Sequence, residues 1–239
     1  MYQRLISLNR GVRIDFLNKI LFEVIMINAV IFDLDGVLID SEPYHCKADA
    51  KLLRELGADP PPNYFDRFTG WTDAAMWEAI RTDYHLTKSI DQLMKMQVPI
   101  KLNLLHEGDY KAIPGIVELL EEIKAEQIPI AIASSSPKIF IDAVIEKIGI
   151  KEYFKILISG EEIERSKPEP DIFLKAALLL NVNPSECLVI EDSKSGTIAA
   201  KKAGMKCIGY QNINSGNQDL SNADFIVNDI REIDLKKMR

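Results

Sequence analysis

What most constrains the fold of this 239-residue chain is a regular alternation of short apolar runs with segments of helical period, interrupted once. Apolar runs at residues 27–32, 128–133, 156–158, 188–190, 207–210 and 225–227 have the length and β-branched content of buried strands. Residues 116–126, 139–148, 170–180, 195–203 and 230–237 carry apolar side chains at helical spacing. Strand followed by helix, repeated, predicts parallel βαβ units and an α/β, doubly wound parallel sheet. Sheets of this kind take ligands beyond the carboxyl ends of their strands, at the switch point.

The interruption runs from Glu42 to about Gly108, where no strand pattern occurs. Residues 43–56, 65–68, 73–83 and 89–106 read as helices, separated by Pro60-Pro61-Pro62, Gly70 and residues 86–88. A helical block of that length is too long for a crossover. It predicts an all-helical insert beside the first strand, placed as a lid. The expected organisation is a core of residues 26–41 and 109–239, a helical cap of residues 42–108, and an appended segment at 1–25. Residues 14–24 of that segment carry a weak amphipathic pattern. A secretory signal is rejected, because Asp15, Asn18 and Lys19 break the apolar stretch and no small-residue cleavage site follows.

Bulk properties narrow the function. Apolar residues make up 47% and charged residues 27%, an ordinary globular balance. The formal charge of -7 argues against nucleic acid or an anionic membrane as partner, since both require basic patches. No run of 18 apolar residues predicts a membrane span. Cys46, Cys187 and Cys207 show no metal spacing and read as reduced thiols of a cytoplasmic protein. A monomer is the default expectation.

The chemistry begins where the first strand ends. Residues 27–32 run straight into Asp33-Leu34-Asp35-Gly36. On an extended backbone Asp33 and Asp35 point the same way, and their repulsion is relieved by a divalent cation or a shared proton. Gly36 lets the chain turn there without a Cβ penalty. Three further polar clusters follow predicted strands or open helices: Ser134-Ser135-Ser136, Ser166-Lys167-Pro168-Glu169-Pro170 and Glu191-Asp192-Ser193. In an open α/β sheet all of them converge on one edge. Clustered carboxylates, a lysine and hydroxyls suit phosphoryl transfer, with Mg²⁺ on the carboxylates and the phosphate on the lysine and hydroxyls.

This ordered set, DxDG, then Ser, then Lys-Pro, then Glu-Asp, with helices inserted after the first motif, resembles the haloacid dehalogenase superfamily. Residues 32–41, 166–173 and 190–204 resemble its β-phosphoglucomutase-like branch, and the likeness covers about residues 26–230. It implies a Rossmann-like core and a Mg²⁺-dependent phosphohydrolase acting on a small phosphorylated metabolite. It also implies Asp33 as nucleophile, forming an aspartyl phosphate, and Asp35 as acid and base. Asp33, the Asp35 carbonyl and Asp192 become metal ligands. Glu191 either reaches the metal through water or orients Lys167. Ser134, the Ser135 N–H and Lys167 take the phosphate.

Simpler roles stand beside these. Ser134 or Ser136 could cap the following helix, Lys167 could be solvated, and Glu191 could be structural. His45 is expected at the surface or on a polar partner, with a coupling role as the alternative. Trp71 and Trp77 are expected in the cap core, although Trp71, with Thr72, could instead face substrate.

A phosphomutase must hold a second phosphate. Where the mutase pattern has an arginine, this chain has Asp73, after Gly70-Trp71-Thr72. Where it has a lysine after the second loop serine, Pro137 stands, with Lys138 next. Asp73 is expected to repel a second phosphate, which favours a phosphatase, although Arg67 or Lys95 could supply the missing cation. A receiver-like phospho-acceptor module fits less well with the large cap. Dehalogenation needs neither the second aspartate nor the metal.

Overall fold

The computed structural model describes residues 27–68 and 71–235. The expected segment at 1–25, Gly70 and the end of the 230–237 helix lie outside them.

Six strands form one parallel sheet in the order β3-β2-β1-β4-β5-β6. They are β1 (Ala29–Phe32), β2 (Ile130–Ser134), β3 (Ile156–Ser159), β4 (Cys187–Glu191), β5 (Lys206–Tyr210) and β6 (Phe225–Val227). All six apolar runs are strands, with ends shifted by a residue or two. The chain winds outward from β1 to β3, returns to β4, and winds the other way. The reversal of strand order therefore flanks β1, the strand that carries the Asp33-Asp35 motif.

Both faces of β1 are buried, which explains its unbroken apolar sequence. Val30 and Phe32 join one core with Leu120, Phe140 and Val144, while Ala29 and Ile31 join another with Ile172, Phe173 and Ala199. The helices behind these residues are α4 (Ile116–Ala125), α5 (Lys138–Lys147), α6 (Asp171–Leu180) and α7 (Lys194–Lys202).

The described elements between residues 42 and 107 are all helical: α1 (Glu42–Glu55), α2 (Asp73–Asp83), α3 (Ile90–Glu107) and a 3₁₀ segment at Tyr64–Phe68. This block has its own core of Leu52, Leu53, Trp77, Ile80 and Leu93. Ser89 starts α3 with a reciprocal cap, taking the Gln92 N–H at 3.2 Å while the Gln92 side chain takes its own N–H at 2.9 Å. The linkers are pinned to each other where Ile113 N–H donates to Leu38 O at 3.0 Å.

Two expectations need correction. Over the described residues 230–235 the expected helix is not formed; Ile230–Glu232 is a 3₁₀ turn, with Asp229 accepting from Arg231 N–H. Ile230, Ile233 and Leu235 are all buried, a spacing that no single helix face supplies. Trp71 is not core: it is 54% exposed, with its ring edge-on to Phe68, whereas Trp77 is fully buried.

Candidate active site

Register brings the polar clusters together. Phe32 pairs with Ile132 on one side and Ile190 on the other. The next residue out on each strand is then Asp33, Ala133 or Glu191. Asp33 N–H still donates to Ile190 O, so its carboxylate is held at the sheet edge and not on a free loop.

Lys167 arrives from the loop before α6. Its Nζ lies 2.6 Å from Asp33 Oδ1, 2.7 Å from Glu191 Oε1 and 3.2 Å from Ala133 O. This lysine is buried, so the solvated alternative does not hold. Burial alone would lower its pKa, but the charges of Asp33 and Glu191 more than reverse that and keep it cationic. Glu191 has both oxygens in use, because Oε2 accepts from Ser193 N–H and Oγ at 2.8 and 2.9 Å. Gly196 of α7 is required here, since a Cβ would fall 1.7 Å from Glu191 Oε1.

Asp33, Glu191 and Asp192 can present carboxylate oxygens within 4.8 Å of one another. All three are buried, against the single charge of Lys167. Asp33 is pushed up to about 7, first by burial, with Lys167 pulling down and Glu191 and Asp35 pushing further up. Asp192 is pushed up by burial and then by Glu191 and Asp33. Hard oxygen donors short of positive charge are the donor set that Mg²⁺ requires, so the residues fit that cation.

Asp35 sits differently. Its Oδ1 faces His45 Nε2 at 3.0 Å, and its Oδ2 accepts from Ser136 Oγ at 2.7 Å. Burial would raise its pKa, but His45, Ser136 and Ser41 outweigh burial and hold it well below the usual carboxylate range. His45 therefore belongs to the site, reached from α1 across the linker. Its ring lies 5.8 Å from Phe140, and its buried Nδ1 has no partner among the described residues.

Ser134 is buried and accepts Ser136 N–H at 3.0 Å, while Ser135 is exposed. Neither Ser134 nor Ser136 caps α5, whose cap position is Pro137 without a side-chain bond. Thr72 caps α2 by accepting Ala75 N–H at 3.3 Å.

The cap contributes a second charged group that sequence reasoning missed. Lys101 is buried, and its Nζ lies 3.0 Å from Asp73 Oδ2. Asp73 is thus paired, not a bare anion. Asp49, buried beside this pair, accepts from Gln97 Nε2. The other cations considered are engaged or open to solvent. Arg67 bonds Asp83 and lies over the Tyr64 and Phe68 rings, Lys138 Nζ donates to Leu157 O at 3.2 Å, and Lys95 is exposed. Ser136 lay within a serine run already singled out. Lys101 had no such signal, because a lysine on an amphipathic helix is indistinguishable from a solvated one.

Comparison with known proteins agrees with this geometry. The family model described as haloacid dehalogenase-like hydrolase matches residues 30–210. The phosphorylated carbohydrates phosphatase of Thermotoga maritima is 32% identical over 180 residues, covering 75% of this chain and 83% of that protein. The β-phosphoglucomutase of Bacillus subtilis is 30% identical over 217 residues, covering 87% and 92%. The bifunctional riboflavin kinase/FMN phosphatase of Arabidopsis thaliana is 31% identical over 211 residues, 88% of this chain, which spans 55% of that longer protein. The crystal structure of CbbY from Rhodobacter sphaeroides, in complex with phosphate, superposes with a TM-score of 0.78 at 26% identity, covering 87% of this chain and 96% of that one. Among the described residues, no helix is long and apolar enough to cross a membrane.

Proposed function

The chain belongs to the haloacid dehalogenase-like hydrolases, and from that premise we propose that it is a Mg²⁺-dependent phosphatase of small phosphorylated metabolites, sugar phosphates among them. The observation that carries this reading is Lys167, bonded to both Asp33 and Glu191 at the sheet edge. It fixes one oxygen of Asp33 and leaves the other to act as nucleophile.

In the first step Asp33 attacks phosphorus. A P–O bond to its carboxylate forms, the P–O bond to the leaving group breaks, and the alkoxide takes a proton from Asp35. In the second step Asp35 takes a proton from water, the water oxygen attacks phosphorus, and Asp33 is released with inorganic phosphate. The hydrogen bonds from His45 and Ser136 favour ionised Asp35, the form needed in the second step. To donate a proton in the first step, Asp35 must loosen from His45. His45 lies at the start of the cap, so cap movement and proton transfer are linked.

Lys167, Ser134 and the Ser135 N–H receive the phosphoryl oxygens. Mg²⁺, when bound, offsets the repulsion between anionic Asp33 and an anionic phosphate. Asp33, Asp192 and the Asp35 carbonyl would hold it. Glu191 orients Lys167 through Oε1 and is itself fixed by Ser193 through Oε2.

Hydrolysis is favoured over mutase chemistry because Lys101, Arg67 and Lys138 each face a carboxylate, Asp73, Asp83 and Asp142, and so bring no net positive charge to a second phosphate. A second phosphate on the substrate would need a free cation in the cap or the Ser134 loop. The test is phosphate release from p-nitrophenyl phosphate and a panel of sugar phosphates, with Mg²⁺ and with EDTA. Activity should require Mg²⁺ and vanish in Asp33→Asn. Activity retained in Asp33→Asn would overturn the nucleophile assignment. Conversion of glucose 1-phosphate to glucose 6-phosphate without phosphate release would overturn the preference for hydrolysis.

A further inference from the structure

We propose that Ser215 is a positioning residue for Asp192, and that the loop carrying it, residues 212–218, is a strap that sets how tightly the acidic site takes up Mg²⁺. The proposal rests on the Mg²⁺ reading of the site.

The strap leaves β5 and bonds to two catalytic segments far apart in sequence. On one side Asn212 Nδ2 donates to Gly36 O at 2.9 Å, and Asn214 Nδ2 donates to Asp40 Oδ2 at 2.6 Å. On the other, Ser215 Oγ donates to Asp192 Oδ2, and Gln218 Oε1 accepts Lys194 N–H at 3.1 Å. Gln218 Nε2 closes the loop on itself by donating to Ser215 O at 3.0 Å.

The burial pattern of the strap is inverted for a surface loop. Asn212 and Ser215 are buried, while Ile213 between them is 90% exposed. Apolar burial would select the opposite arrangement, so the polar bonds set the strap's conformation. Burying these groups is tolerable only because each has a partner.

The geometry leaves Asp192 little room. A Cβ on Gly36 would fall 1.9 Å from Asp192 Oδ2 and 2.8 Å from Ser215 Oγ, and Gly36 also has φ +77°. The first-motif turn, the acidic residue and the strap hydroxyl therefore meet at one point. Ser215 thus holds one oxygen of Asp192 while this carboxylate reaches the point where it converges with Asp33 and Glu191. Partners that orient a metal-binding carboxylate in this way tune affinity without touching the ion.

The test is calorimetric titration of the metal-free full chain with MgCl₂, for wild type, Ser215→Ala and Ser215→Cys. Thermal melts in EDTA run alongside. Removing such a partner weakens metal binding by about 10- to 100-fold. Both variants should show that loss, while their EDTA melts stay close to wild type. The cysteine keeps the shape of the side chain but not its strong donor, so it separates the hydrogen bond from packing and stands in if the alanine variant fails to fold. Wild-type Mg²⁺ affinity in either variant overturns the proposal, as does a loss of affinity matched by a fall in the EDTA melt. If wild type itself takes up no Mg²⁺, the metal reading of the site falls, and this proposal with it.

Discussion

Lys167 and Lys101 are both buried among carboxylates, yet they build different things. Lys167 lies at the strand ends between Asp33 and Glu191, whose side chains are 9% and 1% exposed. With Asp192 alongside, buried anions outnumber the cation. Lys101 lies among the cap helices, and its partner Asp73 is 44% exposed. The remaining anion there, Asp49, is pushed up to about 6 by burial, with Lys101 pulling it down. The core group therefore crowds three buried carboxylates round one lysine, a strain that a proton or a further cation relieves, while in the cap group one of the two carboxylates reaches solvent. A buried ion pair is weak evidence for stability in either place, so what separates the two is how many carboxylates are buried against one cation.

The largest test of this contrast is the paired substitution Lys167→Met and Lys101→Met. Lys167→Met removes the donor bonded to Asp33 and Glu191, and on the proposed mechanism kcat should fall about 10²- to 10³-fold or more. It also strands buried carboxylates, at a cost of about 3–5 kcal/mol in EDTA. Lys101→Met should cost less, on the order of 2 kcal/mol, because Asp73 can turn to solvent. Its kcat should stay within about tenfold of wild type, since Lys101 touches no reacting group. Urea unfolding and steady-state kinetics on both variants decide the matter. Equal losses of kcat would break the distinction between a reacting cluster and a supporting one.

The same contrast explains what could be read from the sequence. Asp33, Asp35, Lys167 and Asp192 each end a strand or stand in a loop at its end, and an open sheet gathers strand ends. Their meeting follows from chain order alone. The all-helical insert was legible for a similar reason, because a strand would have left a period-two pattern. The Lys101–Asp73 pair depends on how the cap helices face one another, and periodicity does not fix that. Ser215 and Asn212 depend on the path of one loop over the sheet edge. The Tyr64–Phe68 segment was placed correctly but is 3₁₀, since a five-residue stretch has no period by which to distinguish the two forms. Trp71 misled because an aromatic in a helical block is more often core.

A smaller effect comes from Asp49. Its carboxyl has a folded pKa of about 6 against an ordinary 3.8, so the folded state keeps a proton that the unfolded chain has lost. Stability therefore falls as pH rises from about 4 to about 6 and is flat above that. A rise of that size in pKa corresponds to about 3 kcal/mol. Asp49→Asn removes this dependence while keeping an acceptor for Gln97. Core carboxylates titrate in both proteins, so the difference between them isolates Asp49. Urea unfolding at pH 4.5 and pH 7 should show Asp49→Asn gaining on wild type at the higher pH. Parallel pH profiles would mean that Lys101 fully compensates Asp49, and the cap cluster would then carry a settled charge.

The smallest expected effect tests whether the cap serves binding rather than reaction. Trp77 is fully buried in the cap core, and Trp77→Ala should cost about 3–5 kcal/mol in stability. Trp71 holds only an edge contact to Phe68, with ring centroids 5.5 Å apart. Trp71→Ala should therefore cost no more than about 1 kcal/mol. Trp71 stands two residues before Asp73, whose carboxyl feels the charges of His45 and Asp35. An exposed indole at that position offers apolar area to the leaving group of a substrate, remote from the phosphorus. Such contact is equal in the ground and transition states, so its loss raises KM and leaves kcat unchanged. With a sugar phosphate, KM should rise by about 3- to 10-fold, since one partly exposed aromatic contact is worth about 1 kcal/mol. With inorganic phosphate as competitive inhibitor, Ki should not move, because phosphate has no leaving group to touch the ring. A fall in kcat instead would place Trp71 in the closing motion of the cap, and an unchanged KM would leave the indole as simple surface.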